Sequence, residues 1–452
     1  MLGTVAVRVA VAAAPMRRLR RRSGGTGLYH LLCERGYGQG VDTDSLPGGW
    51  VMTALPNSEL TIGERIQARR LLRGWSVRYA ASRSGISHAS WSRIERGRQA
   101  ADNRFMLADI AAALECSPAD LVGTPVPAAD RAAVAAQVAV YGIRQALVDI
   151  DLSERSSRSA PPAAELARTV ALVDTLRQAC DYAGAGRLVP DLLRDLHAAS
   201  TGPDRQAALR LLCDTTVMAS GIVRNLGHPA EAWLTAERCR DAAEATEDPV
   251  LLGYAAYARA SAALACGSFQ RSLAVAGTAA DDLRPHLAMH GGRETLGLLL
   301  LVCAYASRAL KRLDDSRAWS GEAVELADRT GETETMSLFF GPTNVNIWRI
   351  GIEVDGGDPA RAVDIARSTN PATIAAGCRQ VFYYADVGRA YARLRGKDRE
   401  AVRYLLTAER IAPQHVHTSP HARETTRALL ERSRREAGGA ELRGLCERMG
   451  VG

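Results

Sequence analysis

The apolar residues of this chain recur at helical intervals along most of its length, and strand-like alternation is nearly absent. The orderly text begins at Leu60. Ile62, Ile66 and Leu72 lie on or near one face of a helix predicted over 60–73, and Gly74 follows it, the residue a helix C-terminus favours. Ser76 caps a second predicted helix that runs to Ser84, and Gly85 supplies a turn. Ser87 caps a third, to Arg96, with Trp91 and Ile94 on one side and His88, Ala89, Ser92 and Arg93 on the other. A fourth, over 104–114, carries Met106, Leu107, Ile110 and Leu114 inward. Ser117-Pro118-Ala119-Asp120 opens a fifth, with a capping residue, proline at the first helical position and an acid in the first turn.

A short helix, a glycine turn and a second helix with a polar face make a helix-turn-helix. The run Trp75 to Arg98, WSVRYAASRSGISHASWSRIERGR, resembles the Xre family, the phage Cro and repressor type of DNA-binding domain, over Leu60 to Val122. Ala81, Gly85, Ile86, Ser87, Trp91 and Ile94-Glu95-Arg96-Gly97 fall in its register. Tyr79, where an acid is common, and Trp91, where a smaller aliphatic is usual, depart from it. The resemblance implies that the third helix enters the major groove with its N-terminal residues toward base edges. His88, Ala89, Ser90 and Arg93 are then the base-reading residues, Arg93 by a bidentate contact to guanine. Ser76 and Ser87 would hold phosphates, with Arg69, Arg73, Arg96 and Arg98 as positioning charges.

Beyond a stiff Thr124-Pro125-Val126-Pro127 segment, a long Ala-rich helix is predicted to Asp149, and Leu152 to Pro162 reads as a loop. After Pro162 the text is helix upon helix, with starts at Pro203, Pro229, Pro249 and Pro359 and a buried helix over Leu296 to Ala306. A small turn residue followed five positions later by Ala or Ser recurs as Gly227/Ala232, Gly267/Ser272, Leu313/Ala318, Gly357/Ala362 and Gly396/Ala401, with Gly186 opening a weaker sixth. These units resemble the tetratricopeptide repeat (TPR), though with a longer period and no regular aromatic signature. A head and body of this kind resemble a group of actinobacterial regulators, in which Phe340-Gly-Pro-Thr-Asn344 looks like a recurring string, and peptide-sensing regulators of other Gram-positive bacteria share the plan. The resemblance implies a signal-responsive transcription factor. Asn344, Asn346, Trp348, Phe382, Tyr383 and Tyr384 are the sensor-pocket candidates, with repeat packing as the alternative for each.

Charge sharpens this picture. Of 452 residues, 47% are apolar and 24% charged, and the net charge is +7. Residues 1–123 carry the entire surplus, while 124–452 hold 40 basic and 40 acidic residues. A polyanion partner therefore belongs to the first quarter. Of that surplus, +4 lies in residues 1–57, Gly-rich and aperiodic, which read as a disordered extension, a mis-assigned start before Met52, or a basic arm on DNA. The positive cluster Arg17 to Arg22 follows the apolar stretch it would have to precede in a secretory signal.

The remaining chemistry is thin. Of the chain's two lysines, Lys397 follows Gly396 but lacks the upstream glycine and the Ser/Thr of a phosphate-binding loop, and Lys311 has no glycine before it. Nine scattered cysteines suit a reducing cytoplasm, and no nucleophile and histidine stand at a recognisable spacing, so no enzyme is expected. His415, His417 and His421 could form a metal site, but Pro413 and Pro420 favour an exposed loop. The expectation is an all-α protein without cofactor: residues 58–123 a five-helix Xre-type domain, 124–162 a linker with a long helix, and 163–452 a TPR-like α-solenoid. It would be a cytoplasmic, homodimeric regulator binding double-stranded DNA, with a peptide, small-molecule or protein signal at the repeats and no membrane. The alternative is a protein-binding scaffold whose helix-turn-helix is vestigial.

Overall fold

A computed structural model describes residues 60–123, 131–433 and 439–451, all within one compact unit. The segment 1–57, the Thr124 to Pro127 segment and the start of the long helix lie outside the described residues. Among the described residues the secondary structure is helical throughout, and no helix is long and apolar enough to cross a membrane.

Five short helices come first: α1 (Ile62–Leu72), α2 (Val77–Ser84), α3 (His88–Glu95), α4 (Arg104–Ala113) and α5 (Pro118–Val122). Thr61 rather than Leu60 sets the first start, because its hydroxyl accepts from Glu64 N while Glu64 reaches back to Thr61 N. Ile62, Ile66, Ala81, Trp91, Ile94, Leu107, Ile110, Leu114 and Leu121 form a closed core of their own. Met106 is only half-buried, because Phe105, not Met106, turns toward the rest of the protein. The bulky Trp91 is fully accommodated. Its Nε1 donates to Glu95 Oε1 at 2.6 Å, and Glu95 also takes a bidentate pair from Arg70 at 2.6 and 2.8 Å. Every polar atom that Trp91 drags inside thus has a partner.

A second core runs through everything after it. α6 (Arg131–Asp149) packs on α8 (Tyr182–Ala199), which pairs with α7 (Ala163–Gln178). Consecutive helices then pair as hairpins: α9 (Arg205–Asn225) with α10 (Pro229–Glu244), α11 (Pro249–Ala265) with α12 (Phe269–Leu283), α13 (Gly292–Ala309) with α14 (Leu313–Thr330), α15 (Pro342–Gly356) with α16 (Pro359–Arg367), and α17 (Gly377–Arg393) with α18 (Asp398–Ile411). The first helices of successive hairpins, α9, α11, α13, α15 and α17, also touch in order. α19 (Pro413–Thr418), α20 (Pro420–Ser433) and α21 (Ala440–Met449) finish the chain.

The turn signal has a physical basis, with two corrections. Gly227, Gly267, Gly357 and Gly396 take left-handed φ of 73–89°, and Ala232, Ser272, Ala362 and Ala401 five residues on are fully buried where two helices close. Leu313/Ala318 is out of register, since Ala318 is exposed. The turn is held there by Lys311 at φ 64° and the buried position is Ser316, whose hydroxyl donates to Ala304 O as Ser272 donates to Ala260 O. Gly186 opens nothing. It lies inside α8 against Ala139, and the corresponding turn is Cys180, φ 59°, with Ala185 buried. Pro203 stands two residues before the start of α9, which its neighbours at 229, 249 and 359 do not.

Candidate nucleic-acid interface and adjoining cavity

α2 and α3 are two-turn helices joined by Gly85-Ile86-Ser87. Gly85 is left-handed at φ 69°, and Ile86 N returns to Ala81 O at 3.2 Å. Ser76 caps α2 by accepting from Tyr79 N at 3.2 Å, and Ser87 caps α3 by accepting from Ser90 N at 3.0 Å. Both serines are exposed, so the positive ends of α2 and α3 face solvent.

On α3, His88, Ala89 and Arg93 are exposed and Ser90 is half-buried. Arg93 stands above this surface, its Nε donating to Gln99 Oε1 at 3.1 Å and an Nη to Ser90 Oγ at 3.3 Å. Ser92 does not share the face: it is buried, and accepts from Arg96. Arg96 and Arg98 are exposed beyond the helix end. Arg69 and Arg73 are less free than the sequence suggests, since they lie 3.6 Å from Asp120 and 3.5 Å from Glu115.

The opposite side of the five-helix domain is anchored to the hairpins by residues that sequence reasoning missed. Asp355 of α15, buried and helix-bound, accepts from Arg389 of α17 at 2.5 Å, Arg104 of α4 at 2.7 Å and Tyr305 of α13 at 3.0 Å. Arg389 also donates to Asp102 O at 2.5 Å and to Asp386 at 2.6 Å. The Asp102 carboxylate accepts from Arg393 and from Thr425, each at 2.8 Å. Burial alone would raise the Asp355 pKa, but Arg389 and Arg104 overrule it and hold the carboxyl well below the usual range. Phe105 adds edge-on contacts to Tyr305 at 5.0 Å and Phe269 at 5.8 Å. Every partner is some 160 residues or more from 102–105, so no linear pattern could have announced the joint.

Beside this joint lies a cavity of about 300 Å³. Leu107, Pro118 and Val122 wall it on one side, and Trp348, Phe382 and His415 on the other. Of the sensor candidates, Trp348 and Phe382 meet here. Asn344 is buried in a smaller adjoining cavity of about 80 Å³, where its Oδ1 accepts from Arg379 at 2.7 and 3.1 Å. The others are elsewhere: Asn346 accepts from Arg349 on its own helix, Tyr383 donates to Ala366 O, and Tyr384 packs on Tyr383 and Tyr404. The histidines are not in an exposed loop. His415 and His417 sit on α19, both buried, with His417 bonded to Glu409 at 2.9 Å, and His421 lines the cavity with His415. Burial pushes the His415 pKa down to about 4 and holds that of His421 well below the ordinary imidazole value. No cluster of His, Cys, Asp or Glu fit to hold a metal occurs among the described residues.

Comparison with known protein families matches the description helix-turn-helix domain to residues 61–122, and the matched description is of the Xre/Cro-like kind. No curated protein and no solved structure matches the chain.

Proposed function

We propose that the chain is a sequence-specific DNA-binding transcriptional regulator in which α3 reads the major groove. One observation carries this: the exposed surface of α3 (His88, Ala89 and Arg93) stays open while the domain is anchored through its other side, from Asp102 to α5. Arg93 reads guanine, His88, Ala89 and Ser90 line the same edge, and Ser76, Ser87, Arg96 and Arg98 grip phosphate. The two separate cores support a division near 123; α6, expected to belong to a 124–162 connector, is built into the second core, and 163–452 continues it as a TPR-like stack that senses a signal, on the plan of the actinobacterial regulators it resembles.

The regulator acts as a homodimer. On α6, Val134, Val138, Tyr141, Gln145 and Val148 are all exposed and follow a 4-3-4-3 spacing, the seam of a two-helix coiled coil. Pairing would set two α3 helices against half-sites about 34–36 Å apart.

The test is selection of binding sites from random duplexes by the full chain, followed by titration of the selected site and a scrambled one at several salt concentrations. The logarithm of selected-site affinity should fall linearly with log salt, and Arg93→Ala should weaken that affinity by about 1–3 kcal/mol while leaving scrambled DNA nearly unaffected. Absence of DNA binding at low salt would instead support the scaffold with a vestigial helix-turn-helix.

A further inference from the structure

The cavity between α4–α5 and the hairpins is built unlike a packing defect. A void left by imperfect packing is apolar and dry, and its lining has no polar groups waiting for partners. Here the Nε1 of Trp348 and the Nδ1 atoms of His415 and His421 are all buried without a hydrogen-bond partner. His415 is only 8% exposed and is held edge-on to Phe382 at 5.1 Å, so its ring cannot swing out to water. Leaving such groups unpaired costs about 1–3 kcal/mol each, an expense that a bound molecule with matching polar atoms removes.

The charges say what kind of molecule. Arg224 and Arg379 line both this cavity and the smaller one beside it, so they stand where the two meet. Neither guanidinium has a carboxylate within ion-pair distance among the described residues. Arg379 is held by the neutral Asn344 and lies 5.0 Å from the Phe382 ring centroid. Burial lowers the Arg379 pKa, and the neighbouring Arg224 lowers it further. The acid in the cavity wall, Asp386, is already committed to Arg389 and Arg104. The site therefore carries two uncompensated positive charges where the cavities meet, with Phe382 beside them, and Trp348, Phe269 and Tyr305 in the rest of its lining.

We propose that this cavity binds a small amphipathic anion: a single carboxylate-like or sulfonate-like group between Arg224 and Arg379, on a ring-sized apolar body stacked among Trp348, Phe382 and Phe269. About 300 Å³ is the lower end of the range for small-molecule pockets and too little for a peptide of several residues. Charge-assisted contacts to guanidinium groups favour an anion, and the aromatic lining favours a flat body. The site deepens the regulator reading and rests on it only for its meaning as a signal, because Leu107, Pro118 and Val122 of the DNA-binding domain form one wall of the cavity.

The probe is 8-anilinonaphthalene-1-sulfonate on the full chain, read by its fluorescence and by calorimetry, with N-phenyl-1-naphthylamine as the neutral analogue that lacks the sulfonate. One sulfonate probe should bind per chain, and Arg379→Gln and Arg224→Gln should each weaken it about ten-fold or more. The neutral analogue should be indifferent to both changes, which also reports that the cavity is intact, and Arg379→Lys should restore part of the sulfonate affinity. Ala265→Trp, which fills the cavity from the α11 side, should displace both probes. No binding of the sulfonate, binding at several sites, or equal behaviour of the two probes in the glutamine variants would overturn the proposal. DNA affinity measured on the same proteins separates the two readings: lost DNA binding with the probe retained strikes the regulator, and the reverse strikes the cavity.

Discussion

Asp355 is the point at which the joint between the two cores can be broken by one atom group. Arg104, Arg389 and Arg393 face Asp102, Asp355 and Asp386, so the cluster is neutral, and Arg389 is only 1% exposed. Asp355→Ala leaves it with a net charge of +1 in a place water does not reach. Removing one partner of a buried pair destabilises by about 3–5 kcal/mol, because the remaining charge is stranded. With an unfolding entropy of about 2.1 cal/mol/K per residue, about 390 residues melting together give roughly 0.8 kcal/mol/K, hence a Tm lower by about 4–6 °C. The decisive comparison is a cycle with Arg389→Met, which restores neutrality and approximate volume. The double variant should lie about 1–3 kcal/mol above the sum of the two single losses. Hydrogen exchange should show the Asp355→Ala change loosening α4 and α5 before it loosens α9–α12. Additive losses in the cycle, or unchanged exchange in α4, would refute the view that charge balance at Asp355 holds the DNA-binding domain in place.

Other consequences are as direct. Val138→Lys with Tyr141→Lys places two charges on the α6 row and should convert a dimer into a monomer by light scattering, with DNA affinity reduced through loss of the second half-site; an unchanged mass would remove α6 as the dimer seam. Glu95→Ala strands the Arg70 guanidinium and the Trp91 N–H together and should cost about 3–5 kcal/mol. Because that loss falls on the smaller core, exchange in α1–α5 should rise while α9–α18 stay protected. His415, surrounded by Arg104, Arg224 and Asp386, takes a proton in the fold only below about pH 4, against 6.5 in the unfolded chain. The unfolded state therefore binds more protons between these values, and stability falls as pH drops, by roughly 3 kcal/mol in all. Asp214, raised to about 7 by burial, acts in the opposite direction, so the measurement is the difference between wild type and His415→Gln, whose Tm advantage should grow from pH 6.5 toward pH 4.

What could be read from the text and what could not divide along a physical line. The five short helices were legible within one or two residues because each has its own cap, from Thr61 to Ser117, and caps are local chemistry. The repeat turns were legible where glycine marks the left-handed backbone, and were lost at Lys311 and Cys180, where ordinary side chains accept that conformation. Phe382, Tyr383 and Tyr384 are adjacent in sequence and so span most of the helix circumference; only packing against α16 and α18 decides that Phe382 alone meets the cavity. The histidines looked exposed because Pro413 and Pro420 suggested a loop, yet each proline merely starts a new helix, and the break between them is Ser419. The Asp102–Arg393 contact spans 291 residues and has no sequence signature at all.

The placement of the joint limits how such a protein could be controlled. Because the anchor runs through Asp102, Arg104 and α5, the hairpins do not cover His88, Ala89 or Arg93, and a signal cannot act by uncovering them. What a molecule in the cavity can change is the angle at which α4 and α5 rest on α11, α15 and α19, since it touches both sides. In a single domain such a tilt alters little, because α3 keeps its own caps and core. In a pair it matters, for two reading helices must meet the groove about 34–36 Å apart, and a small rotation about Asp355 is lengthened by the distance from the joint to α3. For the signal-responsive dimer proposed above, regulation would therefore be a question of spacing between two open faces, and a monomeric variant should lose any response of DNA affinity to an occupant of the cavity while keeping the occupant itself.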